Sequence, residues 1–69
     1  MDDNLNKTFY IKRTNYDVIA KIENKRPNGL YNAKVTSIEK GAPTLEVGDT
    51  FLISKRELEI TGHPTGSAK

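Results

Sequence analysis

The feature that most constrains the fold is the segment RPNG at residues 26–29, which separates two strand-like stretches at residues 17–24 and 30–38. Proline presets φ for the first central position of a type I turn, asparagine suits the second, and glycine tolerates the positive φ that often follows. Alternating apolar stretches joined by such a turn are typical of a β-hairpin. The sequence therefore predicts a hairpin over residues 17–38.

The length of the turn decides which residues face each other, because a one-residue slip moves every side chain to the opposite face of the sheet. A three-residue loop would pair Ile22 with Lys34 and mix apolar with charged groups on each face. A four-residue loop instead pairs Ile22 with Ala33 and Ala20 with Val35, which gives one continuous apolar face. We therefore predict the four-residue loop, a common hairpin length.

This register places Lys21 directly opposite Lys34 on the other face. Like charges at opposing positions destabilise a ladder by a few tenths of a kcal/mol. Glu23 lies diagonal to Lys34 and offsets part of that repulsion. The pair has two interpretations, a solvated face with imperfect charge pairing or a site for a phosphate or a partner's carboxylate.

Residues 8–13 alternate apolar and polar side chains, which predicts a strand with Phe9 and Ile11 facing inward. A short turn follows, with Asn15 expected in the left-handed conformation. The apolar alternation of the third strand breaks before Ile38, which indicates a β-bulge or a sharp bend near residues 36–37.

The C-terminal third contains a strand at Thr50–Ser54 and then Ser54 and Glu57 at the spacing of a capping box. Because Leu58 and Ile60 return to a period of two, we predict a single 3₁₀ or α turn near residues 54–57. A last strand is expected at residues 58–61.

These elements predict an all-β fold, a five-stranded and strongly bent antiparallel sheet or an SH3-like barrel, in one domain at residues 8–62. The resemblance to SH3-like domains concerns architecture alone, since no run of residues matches a named family. A small OB-type barrel is the alternative, and it is disfavoured because such domains are usually longer and contain a helix between strands. Residues 1–7 and 63–69 are expected to be flexible.

The composition excludes several classes of protein. The 69-residue chain contains no cysteine, so it has neither disulfides nor cysteine-ligated zinc. No apolar run approaches the roughly 20 residues that span a bilayer, and no signal peptide is apparent. We expect a cytoplasmic protein without a membrane partner.

Catalysis is not expected. The single histidine, His63, falls in the predicted flexible tail, and the glycines are dispersed turn residues that form no phosphate-binding loop. Asp49 and Glu57 have ordinary turn and capping roles. We expect no enzyme activity, no cofactor and no metal.

Two binding functions remain. The first is a protein-binding module, an inhibitor or adaptor of the kind encoded by phages and mobile elements. Its sheet edges would accept a strand from a partner protein. The chain is expected to be a monomer or a homodimer paired through the same edges. Leu52 and Leu30, beside Tyr10 or Tyr31, would form its apolar centre.

The second function is binding of DNA or RNA through a basic face with tyrosines that stack on bases. The formal net charge of +2 is small for non-specific affinity to nucleic acid, so we favour protein binding. The basic positions are Lys12, Lys21, Lys25, Arg26 and Lys34, and the aromatic or apolar positions are Tyr10, Tyr16, Tyr31 and Leu52.

Overall fold

The computed structural model describes residues 4–65, and five strands in that part of the chain form one antiparallel sheet. Its elements are β1 (Thr8–Lys12), β2 (Tyr16–Arg26), a 3₁₀ turn (Pro27–Gly29), β3 (Leu30–Gly41), β4 (Thr50–Ser54), the helix α1 (Lys55–Thr61) and β5 (Gly62–Pro64). The spatial order is β4-β3-β2-β1-β5. The predicted all-β class with five strands is confirmed. Within residues 4–65 the two outermost strands, β4 and β5, are not paired with each other, so the sheet is open.

The predicted pairing in the centre of the hairpin is confirmed, although the predicted loop length is wrong. Ile22 pairs with Ala33, Ala20 with Val35, and Lys21 with Lys34. The turn itself has only three residues, because Arg26 is already paired with Leu30 at the end of the ladder. A β-bulge at residue 23 adds one residue to β2 and restores the register that the apolar face requires.

The turn also differs from type I. Asn28, the second central position, has a φ of 68°, whereas a type I turn has negative φ at both central positions. The positive φ expected at Gly29 is confirmed, at 74°. Asn and Gly are the residues that accept this left-handed conformation at low cost.

The turn between β1 and β2 does not use a left-handed Asn15, which corrects that prediction. Its backbone instead approaches Gly41 at the end of β3, where an added Cβ would lie 2.3 Å from the Asn15 carbonyl oxygen. Gly41 therefore permits close contact between the two chain segments.

The β-bulge, one of the two alternatives predicted near residues 36–37, is confirmed. The register of β2 and β3 shifts by one residue at position 36 and again at position 39. The Thr36 hydroxyl donates a hydrogen bond of 3.0 Å to the Ile19 carbonyl across the first shift. The bulge at Thr36 turns Ile38 back toward the core, against which it packs.

The core lies on the concave side of the sheet and is built from alternate positions of four strands together with one helix residue. Within residues 4–65, ten buried apolar residues form it, namely Phe9, Ile11, Val18, Ala20, Ile22, Tyr31, Ala33, Val35, Ile53 and Leu58. The inward orientation predicted for Phe9 and Ile11 is confirmed. Leu5, Tyr16, Ile38, Leu45 and Phe51 are partly buried against this cluster.

One of the two hydrogen bonds of the capping box predicted at the start of the helix is confirmed, but the predicted helix length is wrong. The Glu57 backbone N–H donates to the Ser54 hydroxyl oxygen over 3.0 Å. The helix then continues through Thr61, so Leu58 and Ile60 belong to a helix and not to a last strand. Leu58 is buried, whereas Ile60 is 67% exposed, which is the difference that a helix places between positions two apart.

The last strand, β5, occupies Gly62–Pro64 and pairs with β1. His63 and Pro64, which the sequence places in a flexible tail, are therefore sheet residues. At the other end, the Asn6 N–H donates to the Ile22 carbonyl and the Ile22 N–H to the Lys7 carbonyl. Part of the N-terminal segment thus continues the sheet beside β2. Residues 1–3 and 66–69 lie outside the described part of the chain.

Truncation of Ile22 tests the register of the core. Its side chain is fully buried, so we expect Ile22→Ala to lower the free energy of unfolding by about 2–4 kcal/mol. Ile60→Ala, at the exposed helix position, is the matched control and should change it by at most about 0.5 kcal/mol. Chemical denaturation of the three proteins measures both values. Equal effects at the two sites would contradict the described core.

Candidate binding surface

The convex side of the sheet, here called the outer face, presents the side chains that alternate with the buried ones. Its central positions are Tyr10, Lys12, Asp17, Ile19, Lys21, Asn24, Asn32, Lys34, Thr50 and Leu52. Most predicted binding residues therefore share one surface. The structure does not bring all of them together, and several are already engaged within the protein.

Lys21 and Lys34 lie directly opposite each other on β2 and β3, as the register predicts. Within residues 4–65, neither ammonium group has a carboxylate within 4.0 Å. The compensation predicted from Glu23 is absent there, because residue 23 occupies the bulge. Two cations thus lie side by side at the centre of the outer face.

The other three predicted cations lie apart from this pair. Lys12 is opposite Asp17 at the β1–β2 end of the outer face. Arg26 is beside the hairpin turn, opposite Leu30. Lys25 pairs with the buried Tyr31, so its side chain leaves the sheet on the concave side. The five cations therefore do not form one continuous basic patch.

The three tyrosines have separate environments. Tyr31 is 1% exposed in the core, and its hydroxyl accepts a hydrogen bond of 3.3 Å from the Asn4 amide. Tyr16 is half-buried and packs against the core. Tyr31 is therefore buried and does not lie on a surface where it could contact a partner. This corrects its prediction as a binding residue.

Tyr10 lies on the outer face, where its hydroxyl donates a hydrogen bond of 2.8 Å to the Asp17 carboxylate. This hydrogen bond, together with desolvation and the negative charges of Asp17 and Glu39, raises the pKa of Tyr10 above its ordinary value. Its hydroxyl is therefore already committed to an internal contact.

The edge of the sheet formed by β4 is open. The Val35 N–H donates to the Asp49 carbonyl over 2.8 Å. The backbone carbonyl of Asp49 therefore points toward β3. Backbone groups alternate in direction along a strand, so those of Thr50 and Leu52 point away from the sheet. Leu52 is also 52% exposed. Beside it on the outer face lies Asn32, its partner in β3.

The composition of β4 leaves this edge without protection. Natural edge strands usually carry a charged side chain, a proline or a bulge that prevents pairing with another chain. The strand Thr50–Ser54 has the sequence TFLIS, with no charge and no proline. Leu30, predicted beside Leu52, is half-buried at the start of β3.

The other free edges within residues 4–65 are protected, including the end of β2 beyond β1, which carries Lys25 and Arg26. The strand β5 has only three residues and ends at Pro64, which cannot donate a backbone hydrogen bond. The part of β3 that extends past β4 carries Glu39 and Lys40 and has a bulge. In the described part of the molecule, β4 is thus the edge best suited to strand pairing.

The region that the structure describes contains no group of three or more His, Asp or Glu side chains that could hold a metal ion. His63 is exposed on β5, opposite Tyr10. None of the helices among residues 4–65 has the length and apolarity needed to cross a membrane. No protein-family model, curated protein or solved structure was found to match this chain.

The sequence predicts Leu52 as a contact residue but does not identify β4 as the open edge. The signal available was the absence of charge and proline from Thr50–Ser54. That signal becomes informative only when the strand order shows β4 to be outermost.

Reversal of one charge tests the repulsion on the outer face. Lys34→Glu replaces a like pair by an opposite pair, so it should raise the free energy of unfolding by roughly 0.2–1 kcal/mol. The double variant Lys21→Glu/Lys34→Glu restores a like pair and should lose that gain. Denaturant unfolding of the wild type, both single variants and the double variant gives the coupling energy. Strictly additive effects would show that the two side chains do not interact.

Removal of the Asp17 charge tests the tyrosine contact. We expect Asp17→Asn to lower the pKa of Tyr10, because the phenolate no longer forms beside a carboxylate. The raised pKa in the folded state means that this contact stabilises the protein below the ordinary tyrosine pKa, and that this stability is lost as the pH rises through the folded-state value. An NMR titration of the Tyr10 ring measures the shift. An unchanged midpoint would contradict the contact.

Proposed function

We propose that this chain is a non-enzymatic protein-binding module that pairs the β4 edge with an extended strand of another polypeptide. The observation that carries this proposal is the contrast between edges. Thr50 and Leu52 direct backbone donors and acceptors outward from an uncharged strand, whereas β5 and the far half of β3 are protected.

Strand addition fits the chemistry of this edge. The backbone hydrogen bonds of an added strand supply affinity, and side-chain contacts on alternate positions supply specificity. Leu52 offers an exposed apolar contact at the centre of the strand. Fully buried apolar anchors surrounded by polar groups are the usual centre of a protein interface.

The same proposal includes the finer architecture. The five-stranded sheet, with a short helix immediately before a last strand that pairs with β1, supports an SH3-like architecture. We propose that the chain is an open variant of that architecture. A domain of this size acts by occupying a surface, as an inhibitor or an adaptor does.

Nucleic-acid binding is the second candidate, and the Lys21–Lys34 pair is the observation that favours it. Two cations without a carboxylate in contact would attract a phosphate. The proposal is weaker because the tyrosines that would stack on bases are mostly engaged: Tyr31 lies in the core, Tyr16 packs against it, and the Tyr10 hydroxyl is bonded to Asp17.

An edge-blocking variant tests the protein-binding proposal. Leu52→Lys places a charge on β4, and Ile60→Lys is the matched control at another exposed apolar position. Tagged wild type and both variants are compared by capture from an extract of the encoding organism. We expect a protein that the wild type and Ile60→Lys retain and that Leu52→Lys loses. In the purified complex, amide hydrogen exchange of Leu52 should slow.

Oligonucleotide binding separates the two candidates. Binding of single- and double-stranded DNA and RNA is measured at about 50 and 200 mM salt, where phosphate contacts show a steep salt dependence. Tight binding at the lower salt that the Lys21→Glu/Lys34→Glu variant loses, with no capture dependent on Leu52, would replace the protein-binding proposal by the nucleic-acid one.

A further inference from the structure

We propose that the polypeptide paired with β4 is a second copy of this chain, antiparallel to the first and related to it by a twofold axis at Leu52. This inference rests on the proposed function, because it names the partner of the same edge. Isologous contacts of this kind are the commonest in soluble homo-oligomers.

The direction of the backbone groups permits this pairing. Residues whose N–H and C=O groups point outward must face each other in the new ladder, since only they can exchange hydrogen bonds. An axis at Leu52 pairs the outward-facing Leu52 with its own copy and Thr50 with Ser54 of the second copy. A register shifted by one residue would instead place inward-facing groups opposite outward-facing ones.

The ends of β4 favour an axis at Leu52 over the other axes that also pair outward-facing residues with each other. With the axis at Leu52, all five residues of Thr50–Ser54 find a partner in the same strand of the second copy. Moving the axis by one residue pairs only three residues of the strand, and it places the other two opposite the turn or the helix. The longest ladder therefore has its centre at Leu52.

Charge complementarity supports the same register. Asp49 immediately precedes β4, and Lys55 immediately follows it. The proposed axis brings Asp49 of each copy opposite Lys55 of the other, so two pairs of opposite charge flank the uncharged ladder. Both residues are exposed in the single chain. In the described part of the chain, neither forms an ion pair of its own.

Apolar contact completes the interface. On the outer face, the two exposed Leu52 side chains meet at the axis. Burial of their apolar surface there stabilises the dimer. On the concave side, the half-buried Phe51 of each copy faces Ile53 of the other, so the two cores become adjacent. The product is a continuous sheet of ten strands.

Sedimentation equilibrium tests the assembly. Because the ladder is short, the interface falls at the weak end of the size range, and the protein should pass from monomer to dimer between about 10 μM and about 1 mM. Leu52→Lys should weaken dimerisation roughly tenfold or more, since it removes the apolar contact and sets two ammonium groups at the axis. Ile60→Lys is the control and should leave the dissociation constant unchanged.

A cysteine at the axis tests the register directly. The chain contains no cysteine, so Leu52→Cys introduces a single thiol. Opposing residues in a hydrogen-bonded pair have Cα atoms about 5.5 Å apart, within the range that a disulfide spans. Under mild oxidation we expect Leu52→Cys to cross-link into a covalent dimer much faster than Ile60→Cys does.

The charged ends provide a rescue experiment. Lys55→Asp should weaken dimerisation, and Asp49→Lys should do the same. The double variant restores opposite charges across the axis and should recover most of the wild-type dissociation constant. Circular dichroism of each variant establishes that it is folded. A Lys55→Asp variant that dimerises like the wild type would overturn the proposed register.

The outcomes separate this inference from the proposed function. A protein that stays monomeric over the whole concentration range, while Leu52→Lys still abolishes capture of a different protein, overturns self-pairing and leaves the protein-binding proposal intact. The inference is also overturned if Leu52→Lys leaves the dimer dissociation constant unchanged and Leu52→Cys does not form a cross-linked dimer. A monomer whose capture profile is unaffected by Leu52→Lys overturns both.

Discussion

The register between β2 and β3 is the constraint on which the rest of the structure depends. It places Ile22 and Ala33 together on the concave face, and a slip of one residue would turn one of them outward. The turn at Pro27–Gly29 by itself favours the other register, because Arg26 already pairs with Leu30. The bulge at residue 23 reconciles the two requirements. The register that the turn favours and the register that buries the core thus differ by one residue. That residue is accommodated in β2 as a bulge.

Much of this arrangement could be predicted from the sequence, because strand alternation and core burial are local patterns. The inward positions of Phe9 and Ile11, the Lys21–Lys34 pair and the Ser54 cap all follow from spacing alone. The extent of α1 could not be obtained in this way, since Leu58 and Ile60 fit a strand period as well as a helix with one buried residue. The pairing of β5 with β1 depends on contacts distant in sequence, which no local pattern contains.

The candidate surface shows the same division between local and tertiary information. Charge and residue type predict Lys34, Tyr10 and Leu52 as binding residues, but only strand order shows that β4 is outermost. The structure also shows that polar surface groups are used internally. Tyr10 bonds to Asp17, and the Arg13 guanidinium lies 5.3 Å from the centre of the Phe51 ring, with a nitrogen 3.9 Å from a Glu57 carboxylate oxygen. Arg13 thereby joins the end of β1 to β4 and α1.

The contact between β1 and the residues after β5 has a consequence for how the molecule folds. The Thr65 N–H donates to the Thr8 carbonyl over 3.0 Å, which joins positions 57 residues apart. Closing so long a loop is entropically unfavourable until the intervening chain is ordered. The pairings of β2 with β1 and with β3 can form early from neighbouring residues, whereas β5 can pair with β1 only after the intervening chain is ordered. The folding rate should therefore be limited by this late, long-range closure, as in other small proteins with distant strand pairing.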